Sequence, residues 1–169
     1  MVEYKAVKGL HLKNLIVYYT RTGNAKFVAE TIAAEIGADV EEVVDLKKRS
    51  GPLGFLIGGK DARQGKETKI SPTTKMPTDY ELVIFGTPVW AGKPAPAINT
   101  YLKKNNFSGT KVAAYFTQGQ EKSQAIKEAK MLVPNSTWVG ELSLISPLKN
   151  KDKAEKQILE WCKAIVANI

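Results

Sequence analysis

Histidine and cysteine are almost absent: His11 and Cys162 are the sole examples in 169 residues. One cysteine excludes an intrachain disulfide and a thiolate metal cluster. One histidine gives neither a metal site nor a Ser–His triad anything to build on, and Cys162 reads as packing. No apolar run approaches the ~20 residues that cross a bilayer. Residues 1–14 alternate polar and apolar side chains rather than forming a leader, so a reducing, cytoplasmic setting is expected. Acidic residues are in deficit: 17 Asp and Glu stand against 25 Lys and Arg, a formal net charge of +8. Such an excess suits acidic partners. Repeats and low-complexity tracts are missing too, and the length fits one domain with a sizeable core.

What is present is organised around Leu15 to Ile36. Leu15, Ile16, Val17, Tyr18 and Tyr19 form a β-branched and aromatic run, which reads as a buried strand. Thr20, Arg21, Thr22, Gly23, Asn24 and Ala25 follow as a tight turn. Phe27, Val28, Ile32 and Ile36 then repeat at helical spacing. A helix opens with unpaired N–H groups and the positive end of its dipole. With three donor side chains and a glycine in front of it, this turn suits a phosphate. An ordinary turn with Thr22 or Asn24 as N-cap is the simpler alternative.

The remainder repeats the strand–helix theme. Residues 1–13 read as an arm, with Tyr4, Val7, Leu10 and Leu12 able to pack on the body, and 14–169 as the domain. Gly37 is placed to stop the first helix. Ala38 to Val44 reads as the second strand, with Val40, Val43 and Val44. Residues 45–78 are broken by glycine and proline, leaving room for a short helix over Pro52 to Arg63 with Leu53, Phe55, Leu56 and Ile57 as its apolar contacts. Leu82 to Phe85 and Lys111 to Phe116 read as strands. So does Thr137 to Leu144. Helices are expected from Pro94 and Pro96 onward, with Ile98, Tyr101 and Leu102 inward, and over Gln120 to Val133. A last helix opens on an Asp152–Glu155 capping box and carries Ala154, Ile158, Trp161, Cys162 and Ile165 on one stripe. Five alternations of strand and helix mean an α/β fold, a parallel sheet covered on both faces. Ligands of such sheets sit at the carboxyl ends of the strands, where the strand order reverses.

Three loops meet at that edge. The first offers phosphate donors. The second, Gly86 to Gly92, offers Trp90, an exposed-looking aromatic. The third offers Thr117, Gln118 and Gly119, small and polar. A phosphate-bearing ligand with a flat ring fits this set, with the ring stacked on Trp90.

These motifs resemble those of the flavodoxins. Thr20 to Ala25 fits their Thr/Ser-x-Thr-Gly-Asn-Thr/Ala phosphate signature. Gly86-Thr-Pro-Val-Trp90-Ala-Gly92 looks like their flavin-flanking loop, and the third loop matches by position. The resemblance spans about residues 14–167. It implies a doubly wound, five-stranded parallel sheet in the order 2-1-3-4-5, bound FMN, and electron transfer between redox partner proteins. It further implies that Thr20, Arg21, Thr22, Gly23, Asn24 and Ala25 hold the phosphate. Pro88, Val89, Trp90, Ala91 and Gly92 would line the ring, and Thr117, Gln118 and Gly119 would meet its pyrimidine edge. The side chains of Arg21 and Lys26 are expected in solvent.

The chain departs from the family in two respects. No aromatic stands in the third loop, which keeps a second reading alive: an FMN-dependent NAD(P)H or quinone oxidoreductase. The surface is basic where flavodoxins are usually acidic, so an acidic redox partner docking on the basic segment 47–75 is expected. No residue is assigned to catalysis and none to a metal. Gly54 to Lys60 spells most of a nucleotide P-loop, but Asp61 replaces its Ser or Thr and no strong strand leads in, so it is read as coincidence. Nucleic-acid binding has only the charge in its favour, since no aromatics interleave the basic run.

Overall fold

Strand β1, Asn14–Tyr18, is buried along its whole length because it lies inside a parallel sheet, with a neighbour on each side. Such strands read as unbroken apolar runs rather than as alternations. The computed structural model describes residues 13–119 and 124–169. The arm lies outside them apart from Lys13. So does the start of the helix expected from Gln120.

Helix α1, Asn24–Ile36, returns the chain to the edge strand β2, Asp39–Glu42. Gly37 ends α1 in the left-handed conformation (φ 67°), its N–H donating to Ala33 O. Helix α2, Gly51–Arg63, leads through a long connection to β3, Leu82–Trp90. A two-residue strand β4, Lys93–Pro94, folds back on β3, and α3, Pro96–Lys104, follows. Then come β5, Lys111–Gln118, α4, Ala125–Leu132, and β6, Thr137–Ile145. Helix α5, Lys151–Ala167, closes the order.

The sheet runs β2-β1-β3-β5-β6, all parallel, with β4 paired antiparallel to β3 outside that path. With β4 set aside, this is the expected 2-1-3-4-5 order. One core lies on each face. Leu15, Val17, Val83, Phe85, Val112 and Phe116 point toward α3 and α4; Ile16, Ile84, Ala113 and Tyr115 point toward α1 and α5.

Four local expectations are corrected. The second strand is shorter than Ala38 to Val44, and of its expected valines only Val43, just past β2, is buried, while Val40 and Val44 face solvent, because an edge strand has a neighbour on one side only. The buried stripe of α1 is Ala25, Val28, Ala29 and Ile32, so Phe27 and Ile36 sit at its margins. Helix α5 is capped by Asn150, whose side chain accepts from Lys153 N, rather than through Asp152. Its core stripe is the expected one: Ala154, Ile158, Trp161, Cys162 and Ile165. Helix α2 packs the other way round from expectation. It buries Gly54, Gly58, Asp61 and Ala62 and turns Leu53, Phe55 and Leu56 outward. The reason is clearance. A Cβ on Gly54 would enter the backbone of Arg49, and one on Gly58 would come within 2.8 Å of the Trp90 ring.

Candidate functional site

The β1–α1 turn lies where the order reverses, since β1 sits between β2 and β3. Tyr19 N donates to Gly86 O (3.1 Å), carrying the ladder one step past the strand. Gly23 takes a left-handed φ of 86°, and its N–H donates to Thr20 Oγ1 at 3.1 Å. Gly23 is the N-cap residue of α1, and among the described residues no side chain caps the helix. The alternative of Thr22 or Asn24 as N-cap is thereby corrected. Asn24 instead ties the turn to its surroundings: Nδ2 donates to Thr22 Oγ1 (3.0 Å), and Oδ1 accepts from Leu148 N (3.1 Å). The opening of α1 therefore keeps its backbone donors and its positive dipole end facing outward, fringed by two hydroxyls.

Tyr115 braces this opening from below. The side chain is fully buried, and its hydroxyl donates to Ala25 O in the first turn at 2.7 Å. It reaches α1 by crossing β3 at Gly86, where a Cβ would occupy the space of the phenol ring. Burial holds the Tyr115 hydroxyl far above its ordinary pKa, with the neighbouring Tyr18 adding to the shift.

Arg21 is partly buried rather than free in solvent. Its Nε donates to Arg49 O (2.8 Å) and Nη2 to Gly51 O (3.1 Å), so the turn is clipped to the start of α2. Lys26 is exposed, as expected, with Glu30 at 3.9 Å.

The second loop is a hairpin between β3 and β4, with Trp90 opposite Lys93 and Val89 opposite Pro94. Ala91 (φ 48°) and Gly92 (φ 79°) form its tip. Positive φ is uncommon for a residue with a Cβ, so Ala91 is held there by the two-residue turn. Thr87 shapes the hairpin base: Ala95 N donates to its Oγ1, which donates to Pro88 O. In the third position Thr117 and Gln118 still belong to β5 and are buried, and Gly119 is the first exposed residue. Pro88 stands opposite Thr117 in the ladder, so the loops after β1, β3 and β5 leave one edge side by side.

The ring of Trp90 is half-buried, not exposed. It meets Tyr19 edge-on (centroids 5.7 Å apart, planes at 83°) and is covered by α2 at Gly58. The Arg49 guanidinium lies 5.8 Å from its centroid. Arg49 itself is a correction to the basic run 47–75, whose charges were expected to meet an acidic partner. Its side chain is 2% exposed. Nε donates to Asp45 (2.6 Å) and Nη1 to Asp61 (2.9 Å). Burial disfavours the charge on Arg49, yet its hydrogen bonds to the two carboxylates outweigh it and raise its pKa. For Asp61, burial likewise opposes ionisation, and hydrogen bonds from Lys47 (2.7 Å) and Arg49 hold its pKa below the usual value. Burial pushes Tyr19, beside this network, up to about 12, with Asp45 adding to the shift.

A cleft of about 470 Å³ opens between Tyr19–Thr22 and the segment Glu42–Gly51. The sequence reading did not include this wall. Asp45 and Arg49 are four residues apart, but their partner Asp61 joins only once α2 is packed, so no local signal marked them. The near P-loop Gly54–Lys60 lies inside α2 with Gly54 and Gly58 against neighbours, not in a turn ahead of a helix.

The sequence profile of the family described as Flavodoxin matches residues 58–165. The chain belongs to the flavodoxin family. Solved structures agree with this member's fold. A flavoprotein from Bacteroides eggerthii is 21% identical, with a TM-score of 0.74 over 92% of this chain and 99% of its own. A Lactobacillus acidophilus flavoprotein in complex with FMN is 24% identical (TM-score 0.67, 85% and 99%). A Fusobacterium nucleatum flavodoxin bound to flavin mononucleotide is 16% identical (0.61, 94% and 99%). No functionally curated protein matches. The flavodoxin profile begins inside α2, so the Thr20–Ala25 turn lies outside the matched residues and rests on its own geometry. Among the described residues no helix is long and apolar enough to cross a membrane.

Proposed function

We propose that this protein binds FMN and carries electrons between redox partner proteins. One observation carries the reading: the uncapped opening of α1, fringed by Thr20 and Thr22 and braced by Tyr115, at the reversal point of the sheet. The donor set suits a phosphate: backbone N–H groups, hydroxyls and a helix dipole, with no carboxylate between Thr20 and Ala25. Two structural relatives are FMN complexes by their own description, which supports the choice of ligand.

In this reading Thr20, Arg21, Thr22, Gly23, Asn24 and Ala25 take the phosphate. Pro88, Val89, Trp90, Ala91 and Gly92 flank the ring, and Thr117, Gln118 and Gly119 meet its polar edge. When bound, the flavin supplies the reversible electron chemistry. The protein's part is to orient it and exclude water from one side, and Trp90, held by Tyr19, Gly58 and Arg49, gives that side a fixed wall. The partner is an acidic protein that approaches over the basic segment 47–75, where Lys47 and Lys48 are exposed.

A second reading, an FMN-dependent NAD(P)H or quinone oxidoreductase, is favoured by one feature. Thr117 to Gly119 supply no aromatic to cover the ring's outer face. Anaerobic reconstitution with FMN, then mixing with NADPH or NADH, separates the two. A carrier keeps its yellow colour through dialysis, takes electrons from dithionite and leaves the nicotinamide untouched. Rapid nicotinamide oxidation selects the enzyme, and colourless protein after dialysis overturns both.

A further inference from the structure

The outward face of α2 is unusual for a helix packed on a sheet. Leu53, Phe55 and Leu56 are 69%, 59% and 66% exposed, and Leu46, just before the helix, is 60% exposed. Glycines occupy the inner face, and they let the helix lie close against Arg49 and Trp90. Large side chains outside and small ones inside suggest a face built for contact beyond the chain.

The charges around this ridge are sorted by sign. Arg49 draws Asp45 and Asp61 into the interior, so the acids of residues 44–66 are turned inward. The exposed charges left there are Lys47, Lys48, Lys60, Arg63 and Lys66, all positive. Lys60 and Arg63 follow Leu53 and Leu56 on one helical stripe. The ridge also touches the proposed cofactor site at two points. Phe55 stacks under Arg21 of the phosphate turn, with 5.4 Å from Cζ to the ring centroid, and Gly58 lies on the Trp90 ring.

We propose that this ridge is the docking surface for the electron-transfer partner, an acidic protein with an apolar centre. The proposal rests on the carrier reading and names its contact. Leu53, Phe55 and Leu56 form the dry centre, and Lys48, Lys60, Arg63 and Lys66 form the rim that steers the partner in, while Lys47 is held by Asp61. A partner seated there meets the helix that covers Trp90 and is clipped by Arg21 to the phosphate turn.

The test uses full-length protein, with and without FMN, and an acidic plant-type [2Fe–2S] ferredoxin as the partner. Binding is followed by sedimentation and by electron transfer at low salt. Leu53→Gln with Leu56→Gln keeps helix propensity and leaves the Phe55–Arg21 contact in place. It is expected to weaken ferredoxin binding at least tenfold, with FMN affinity and dithionite reduction unchanged. Lys60→Glu with Arg63→Glu is expected to flatten the salt dependence of the association rate. Unchanged binding in the leucine variant overturns the proposal, as does absence of any saturable complex with ferredoxin. Adsorption of the protein to phosphatidylglycerol vesicles through these leucines, or its self-association through them, also overturns it. Failure to take up FMN is read separately from the spectrum and counts against the carrier reading, because ferredoxin binding to the FMN-free protein still reports on the ridge.

Discussion

Arg49 shows most clearly how one side chain organises its surroundings. It sits among lysines in the sequence, yet in the fold it bonds two inward carboxylates, with Lys47 adding the second positive charge, and lies beside the Trp90 ring. Removing one partner of a buried pair usually costs ~3–5 kcal/mol, because the other charge stays behind. Arg49→Met is expected near the lower end, about 3 kcal/mol by urea unfolding, since Lys47 still serves Asp61 and Thr68 still donates to Asp45. A loss under ~0.5 kcal/mol, the range of ordinary surface substitutions, would show that the network is not structural. Titration gives a second handle. Burial pushes the Cys162 thiol up from 9.0 to about 12 and Tyr19 from 10.0 to about 12. The folded chain then holds protons that the unfolded chain releases, so stability falls as pH rises. Unfolding free energy is expected to be level up to about pH 9 and to decline between there and pH 12; a level profile to pH 12 contradicts the burial of these groups. At this scale the sequence was readable where contacts join neighbours in the chain, as in the turn Thr20 to Ala25. It was opaque where a charge pairs across a helix, as with Arg49 and Asp61.

Helix α2 carries the main lesson about elements. Room for a short helix was legible in a stretch rich in glycine and proline, while its orientation was not. Apolar residues at 53, 55 and 56 suggest an inward face, but packing distance decided otherwise, and the glycines went in. Single-methyl substitutions expose that geometry. Gly59 has open space around a new Cβ, and Gly58 does not. Gly59→Ala is expected to stabilise by ~0.5–1 kcal/mol through helix propensity. Gly58→Ala is expected to destabilise by ~1–3 kcal/mol, as overpacking does, and to shift Trp90 fluorescence. Equal effects of the same sign in thermal unfolding would rule out close packing of α2 on Trp90. Elsewhere, periodicity worked best where an element has core on one side and water on the other. Helix α5 showed its buried stripe residue by residue. Its cap lay two residues earlier than expected, at Asn150, because Asn before a helix competes with the Asp152–Glu155 pattern. Strand β2 was overestimated because valines at a sheet edge need not be buried.

For the whole molecule, topology was the most legible property. Alternating strands and helices, right-handed crossovers and a hydroxyl-rich first turn leave few arrangements open, and the observed sheet order is the expected one with a two-residue strand added. The wall made by Glu42–Gly51 was not legible, since it forms from a glycine-broken connection whose partners are distant in sequence. Taken together, sheet edge, turn and brace make the proposed seat for a phosphate attached to a flat ring. The most direct measurement compares FMN with riboflavin, which differ by that phosphate alone, by titration of flavin fluorescence. Charge-assisted hydrogen bonds contribute ~1.5–3 kcal/mol each, so FMN is predicted to bind at least about 100-fold more tightly, with Tyr115→Phe narrowing the gap by loosening the helix opening. Equal affinity for the two flavins, or binding of neither, would contradict the account.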